Sequence, residues 1–379
     1  MAKISLCMIV KDEAHVIRRC LEKALPLMDH LLVVDTGSTD GTQEVIRDFL
    51  EESGLPGVVI DEPWKDFAYN RSFAMSKLRE HADIDYGLML DADNYLVFEK
   101  SFDVDQFKRG LSADLYDVQV RTGPCLHYCP LLFSNRRPYR YLGVLHEFLE
   151  VNGSREVAKG FLSVQMQDSA RNRNPNKYRD DANVLENVLK TESDPFFISR
   201  YTFYLAQSYR DADELELALD AYLRRAHLGG WKEEVFFSFY QAGLLREKLG
   251  HEPAAILESY LSAFEASPSR AESLHAAARF CRNHGKYHQA YLFAKQGIER
   301  TLPEQPLFAQ TWVYDYGMMD EFSIAAYWAG KLRESFDACV KLLKKSSIPP
   351  NERERIRRNA QYAIDALGQP KLANLLPAA

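Results

Sequence analysis

The first part of the chain alternates between two hydrophobic patterns. Ile4 to Val10 is an unbroken apolar run, the pattern of a strand buried on both faces. Asp12 or Glu13 then opens a stretch in which Val16, Ile17, Cys20, Leu21 and Ala24 recur at helical spacing, closed by Pro26. The alternation repeats. His30 to Val34 is a second strand, and Gln43 to Leu50 a helix broken by Gly54 and Pro56. Val58 to Ile60 is a third strand, Asp66 to Leu78 a helix, and Tyr86 to Leu90 a fourth strand. This βαβαβαβ order predicts an α/β domain with a mostly parallel sheet covered by helices on both faces.

From about Asn172 the pattern turns wholly helical. Ala206, Ala242 and Ala278 stand 36 residues apart, as do Ala218, Ala254 and Ala290, and Tyr209, Leu245 and Cys281 follow at a matching offset. Small residues at fixed sites let paired helices approach closely, and the period is near that of tetratricopeptide repeats. Gly250 and Gly285 fall where the turn inside each helical pair belongs. A further pair, around Phe322 to Ala329 and Leu332 to Leu343, follows an insertion. These are degenerate repeats, enough in number to bury a continuous core. Their aromatics are mostly core, and some are expected to line the face on which such solenoids bind peptides or extended partners.

Composition narrows the function classes. With 46% apolar and 27% charged residues, the 379-residue chain is that of a globular protein. A net charge of −7 with scattered Lys and Arg argues against general nucleic-acid binding. Six Cys in so long a chain do not make a disulfide framework. Cys125 and Cys129 flank His127, but no second ligand pair follows at metal spacing, so these read as reduced thiols. No apolar run spans a membrane, and the first residues run straight into a strand, which leaves no room for a signal peptide. The expected location is the cytoplasm.

The chemistry gathers at the carboxyl ends of the strands, where ligands bind in such sheets. Those ends carry Lys11-Asp12-Glu13, Asp35-Thr36-Gly37-Ser38, Asp61-Glu62 and Asp91-Ala92-Asp93. So many acids on one edge call for a cation or a polar ligand. Asp91 and Asp93 end an apolar strand at i, i+2 spacing and can share Mg²⁺ or Mn²⁺, which prefer oxygen ligands and complete their shell with phosphates and water. Ser38 and Thr39 can cap the next helix, whose N-terminus can receive an anion or polar group. Neither G-x-G-x-x-G nor G-x-x-x-x-G-K-[ST] is present, which argues against a dinucleotide site and a P-loop.

Three segments together carry a resemblance: Ile9-Val10-Lys11-Asp12-Glu13, Val34 to Thr42, and Leu90-Asp91-Ala92-Asp93. They are similar to family 2 glycosyltransferases of the GT-A fold. Phe67-Ala68-Tyr69-Asn70-Arg71 resembles the F-x-x-A-R-N segment of one subgroup, with Asn and Arg exchanged. Tyr141-Leu142-Gly143-Val144-Leu145-His146-Glu147 resembles its Y-x-G-x-x-H-E segment. That bacterial subgroup includes lipopolysaccharide-core glucosyltransferases and bacteriocin peptide S-glycosyltransferases. The likeness covers roughly the first 170 residues.

The resemblance implies roles for particular residues. Asp35 would contact the base or ribose of a nucleotide-sugar, with Val10, Glu13 and Ser38 lining the same pocket. Asp91 and Asp93 would bind the metal and the diphosphate. The Glu-Asp pair common in the family is missing at its usual place, which leaves His146-Glu147 to supply the base. Glu147 could be the base with His146 on the metal or the leaving diphosphate, or the roles could be swapped. Arg71, Arg136, Arg137 and Arg140 are candidates for the phosphates.

The resulting expectation is a GT-A domain over residues 1–170, a linker and first helix over 171–199, and tetratricopeptide-like repeats over 200–379. The function expected is that of a metal-dependent (Mn²⁺ or Mg²⁺), inverting hexosyltransferase. It would move a sugar from a nucleotide-sugar donor, a UDP-sugar, to a protein, peptide or glycan acceptor docked in part on the repeats. A homodimer is compatible with the sequence. The competing reading is a catalytically inactive scaffold. A nucleotidyltransferase is disfavoured because the first loop, Ile9 to Glu13, has no glycine.

Overall fold

A computed structural model describes residues 1–123, 125–150, 152–304 and 306–377. The chain divides into two compact units, 1–192 and 193–379.

The first unit is built on one sheet. Its parallel half comprises β1 (Ile4–Val10), β2 (His30–Asp35), β3 (Gly57–Asp61) and β4 (Tyr86–Met89), in the order β3-β2-β1-β4. The intervening helices are α1 (Ile17–Ala24), α2 (Thr42–Ser53) and α3 (Phe67–Leu78). Beyond β4 the chain adds β5 (Asn94–Phe98), α4 (Val104–Gly110), β6 (Leu115–Thr122) and β7 (Cys125–Ser134). A small hairpin of β8 (Tyr141–Leu142) and β9 (Phe148–Leu149) follows, then β10 (Arg155–Gln165) and α5 (Lys177–Leu189). The full sheet runs β3-β2-β1-β4-β7-β6-β10-β5. Only β7 and β5 run against the other six strands.

Burial on both faces explains the unbroken apolar runs. Leu6, Met8, Val33 and Leu88 pack with Ile17 and Leu21 of α1 and Ile46 and Phe49 of α2. Cys7, Leu32, Val34 and Met89 face the other way, onto Ala74, Met75 and Leu78 of α3. Strand alternation sends neighbours to opposite faces, so both must be apolar. The strand order changes direction between β1 and β4, which opens a crevice at their carboxyl ends.

The second unit is all helical. Its helices are α6 (Pro195–Asp211), α7 (Leu215–His227), α8 (Lys232–Lys248), α9 (Pro253–Ala266), α10 (Glu272–Asn283), α11 (Tyr287–Gly297), α12 (Met318–Trp328), α13 (Leu332–Leu343) and α14 (Pro350–Leu367). Ala206, Ala242 and Ala278 are fully buried in the first helices of successive pairs, as the spacing predicts. Gly250, Gly285 and Gly330 turn the chain inside their pairs with φ near +70°, and Asp213 takes that place in the first pair with φ 60°. The second series needs correction. Ala218 and Ala290 are buried, but Ala254 is exposed, and Ile256 fills the core position of α9. α8 runs one residue further past its alanine than α6 and α10 do, and the connection before α9 is one residue longer than those before α7 and α11, so α9 starts two residues later. The insertion before α12 contains a π-helical turn, Val313–Gly317. Among the repeat aromatics expected in part on a binding face, Tyr240 is buried, and its hydroxyl accepts from Gln310 Nε2 at 2.9 Å.

Candidate functional site

The crevice at the carboxyl ends of β1, β2 and β4 gathers most of the predicted residues. Two loops line it and are laced together. Asp12 N donates to Ser38 Oγ at 2.9 Å, Thr39 N to Asp12 Oδ1 at 2.7 Å, and Glu13 N to Thr42 Oγ1 at 2.8 Å. Asp12 adopts φ 57°, a left-handed conformation that Asp tolerates better than most residues. The Val10 carbonyl accepts from Thr36 N at 2.9 Å, so Val10 shapes the pocket through its backbone.

Asp35 ends β2 and is 1% exposed. Its Oδ1 accepts from Gly37 N at 2.8 Å and Ser38 N at 2.7 Å. Its Oδ2 is buried and receives no hydrogen bond among the described residues. Such an orphan is rare in a folded chain and marks a place for a donor from outside.

Asp93 is 3% exposed, whereas the Asp91 side chain is 41% exposed. Burial raises the Asp93 carboxyl above its ordinary value, and Asp91 and Asp168 push it in the same direction. Burial also pushes Glu13 up to about 7; a hydrogen bond from Ala170 N opposes this, and Asp93, Asp91 and Asp40 add to it. Glu13, Asp91 and Asp93 therefore form one field of repelling carboxylates. Among the described residues no group of three or more His, Cys, Asp or Glu converges as a metal cage. The oxygen donors that remain as candidates for a divalent cation are those of Asp91 and Asp93; such a cation takes the rest of its shell from phosphate and water.

Arg71 stands on the first turns of α3. Asp66 caps that helix, accepting from Tyr69 N at 2.7 Å, a contact worth about 1 kcal/mol. Asn70 is fully buried and pins the preceding loop: its Oδ1 accepts from Lys65 N at 3.0 Å, and its Nδ2 donates to the Pro63 carbonyl at 3.3 Å. Arg71 Nη2 donates to Asp91 Oδ1 at 2.6 Å, and Nε to Glu147 Oε1 at 2.7 Å. Glu147 lies between β8 and β9, beside His146, which is exposed with φ 51°. A non-glycine residue held at positive φ concentrates at functional loops and turns.

Three predicted phosphate ligands lie elsewhere. Arg136 pairs with Asp85 and Arg137 with Asp114 at 2.8 Å. Both acids precede the first residues of β4 and β6, at the opposite edge of the sheet. Arg140 pairs with Glu150 at 2.7 Å on the far end of the small hairpin. The side chain of Cys125 lies outside the described residues; Cys129 is a half-buried free thiol.

The segment after β10 supplies residues that motif reasoning missed. Asp168 is held bidentately by Arg19, with both bonds at 2.8 Å, and Arg19 also reaches the Asp93 carbonyl at 3.3 Å. Ala170 N donates to both Glu13 oxygens at 3.2 Å, and Asn172 Nδ2 lies 3.5 Å from Asp93 Oδ2. Lys177 Nζ donates to Asn172 Oδ1 at 2.6 Å. The one available signal was polarity: the stretch Asn174 to Asp181, which joins the two parts and includes Lys177, is polar enough to reach the cleft, whereas Asp168, Ala170 and Asn172 carry no motif.

Residues 5–100 match the family model described as glycosyl transferase family 2. The matched residues lie wholly within the N-terminal unit. The chain is 33% identical to a TPR repeat-containing protein of Synechococcus elongatus, over 40% of this chain and 36% of that protein. It is 26% identical to the prophage-derived glycosyltransferase SunS of Bacillus subtilis, over 59% of this chain and 53% of SunS. The chain thus spans about a third to a half of the curated relatives it matches. A crystal structure of S. aureus TarS residues 1–349 in complex with UDP-GlcNAc aligns with 13% identity and a TM-score of 0.39, covering 70% of this chain and 91% of that one. The matched residues include the parallel strands β1 to β4 and Asp35, Arg71, Asp91 and Asp93. Among the described residues no helix is long and apolar enough to cross a membrane.

Proposed function

We propose that the chain is a metal-dependent, inverting glycosyltransferase that moves a sugar from a UDP-sugar to a protein, peptide or glycan acceptor presented in part by its repeats. The observation that carries this reading is the buried Asp35 Oδ2, without a hydrogen-bond partner among the described residues, on the same strand-end edge as the Asp91 and Asp93 carboxylates within residues that match the family 2 model. An acceptor-only oxygen at the end of β2 suits an N–H or O–H of the nucleoside. Asp91 and Asp93 would hold Mn²⁺ or Mg²⁺, whose charge offsets that of the diphosphate as it leaves. Ser38, Glu13 and the Val10 carbonyl shape the wall of the nucleoside pocket.

The reaction then needs a base on the acceptor side. As an acceptor oxygen or sulfur attacks the anomeric carbon, its proton passes to the free oxygen of Glu147, and the bond from that carbon to the diphosphate breaks with its electron pair on the departing phosphate. His146 next to it can touch the diphosphate or exchange roles with Glu147. The name of SunS agrees with the transferase half of this reading, and that of the TPR repeat-containing relative with the repeat half.

The test is release of nucleoside diphosphate from a panel of nucleotide-sugars with Mn²⁺. Release from UDP-sugars above background is expected. No release and no nucleotide binding would leave the scaffold reading in its place.

A further inference from the structure

Arg71 lies between two carboxylates that serve opposite sides of the proposed reaction. Asp91 belongs to the donor side and follows β4, and Glu147 belongs to the acceptor side and sits on the β8–β9 hairpin. The guanidinium bonds both, at 2.6 and 2.7 Å, through two different nitrogens. Its side chain is only 11% exposed, and the Tyr141 ring lies 5.6 Å away. The stem is fixed as well. Asp66 and Asn70 hold the first turn of α3, and Ser72 Oγ accepts from Tyr141 N at 2.8 Å, which ties α3 to the hairpin directly beside Arg71.

We infer that Arg71 is a positioning residue, not a phosphate ligand, and that it sets the orientation of Asp91 and Glu147 relative to each other. The inference rests on the glycosyltransferase reading and deepens it. A guanidinium presents its donors in a rigid planar fork, so bonds to two carboxylates fix the angle between them. Two carboxylates this close to one cation would repel each other without it, and burial makes that repulsion costly. One oxygen of each carboxylate is spent on Arg71. The other oxygen of Asp91 stays available for a cation, and that of Glu147 for a proton. Nε and Nη2, the edge of the fork best suited to a phosphate, are already occupied. A lysine ammonium at this position keeps the charge but holds no fixed angle.

The test compares Arg71→Lys, Arg71→Met, Glu147→Gln and Arg71→Met/Glu147→Gln with the wild type, using UDP with Mn²⁺ for affinity and UDP-sugar turnover for rate. For Arg71→Lys, UDP affinity should stay within about threefold of wild type while kcat falls tenfold or more, the signature of an interaction that matters in the transition state. The double variant should be no slower than the slower single variant, because the two residues act as one unit. A merely structural arginine would give multiplying losses instead. Tenfold or greater loss of UDP affinity in Arg71→Lys with kcat preserved would make Arg71 a phosphate ligand and overturn the inference. Unchanged kcat in Arg71→Lys would overturn it too. If Arg71→Met does not fold, Arg71→Lys carries the test alone. A wild-type chain that binds no nucleotide removes the glycosyltransferase reading and this inference with it, an outcome distinct from wild-type binding that is lost only in the variant.

Discussion

Asp35 carries a buried carboxylate oxygen with no hydrogen bond among the described residues. An unsatisfied buried acceptor of this kind costs on the order of 1–3 kcal/mol, and a ligand N–H would recover it. Asp35→Asn retains the oxygen that accepts from Gly37 and Ser38 and replaces the orphan with an amide donor. UDP affinity should fall about tenfold or more while the melting temperature holds or rises. Calorimetry and a thermal melt check both at once. Glu147→Gln keeps the shape and removes the proton acceptor, so turnover should drop by about 10²-fold or more with near-normal donor binding. If His146→Ala abolishes turnover and Glu147→Gln does not, the two exchange roles. The sequence marked Asp35, Asp91 and Asp93 because acids are rare in buried strands and so announce where strands end. It could not mark the partners of Arg71. Glu147 lies 76 residues away, and nothing local reports a contact of that range. Arg136 and Arg137 were misread for a related reason: a basic residue after an antiparallel strand lies at the opposite edge of the sheet, and strand direction was not legible for β7.

The elements place these side chains, and their packing is tight where the site depends on it. Gly87 lies on β4, the strand that delivers Asp91. A Cβ there would come 2.3 Å from Phe133 and 2.6 Å from Leu78. Gly87→Ala should destabilise the first unit by about 1–3 kcal/mol through overpacking, and a urea titration followed by tryptophan fluorescence reads it. A shift below the noise would mean that α3 and β7 yield easily. In the repeats, the first helices were legible from Ala206, Ala242 and Ala278, since close packing demands a small residue at each. The second helices were legible at Ala218 and Ala290 but not in α9, where two extra residues after Ala242 break the arithmetic and Ile256 restores the packing. Tyr240 shows the same limit: an aromatic on a helix face reads alike whether a solenoid buries or displays it.

Across the whole chain, two units of different architecture carry different electrostatic burdens. The first concentrates acids at one sheet edge. The second buries paired charges such as Arg270 with Glu272 and Arg225 with Glu234. It also holds His275 against the Trp312 ring at 5.0 Å, where burial, then Arg279 and Arg282, push the imidazole down to about 4, with Glu272 opposing. A histidine depressed in the folded state contributes stability that is full above its ordinary value near 6.5 and is lost as pH falls toward 4. The repeat unit should lose about 2–3 kcal/mol over that window, and His275→Phe should flatten the loss. An unchanged pH dependence in His275→Phe would assign it to other groups.

The central claim is that the acidic edge binds a nucleotide through a shared cation. Asp93 is buried past the end of β4, where burial and the neighbouring carboxylates already disfavour its charge, so Asp93→Ala should leave the fold intact. The direct measurement is calorimetric titration of UDP into the full chain and into Asp93→Ala, each with and without Mn²⁺. The account predicts UDP binding by the wild type that strengthens markedly with Mn²⁺, and loss of that Mn²⁺ dependence in Asp93→Ala with an unchanged melting curve. UDP affinity that is indifferent to Mn²⁺ in the wild type, or equal in the wild type and the variant, would contradict it.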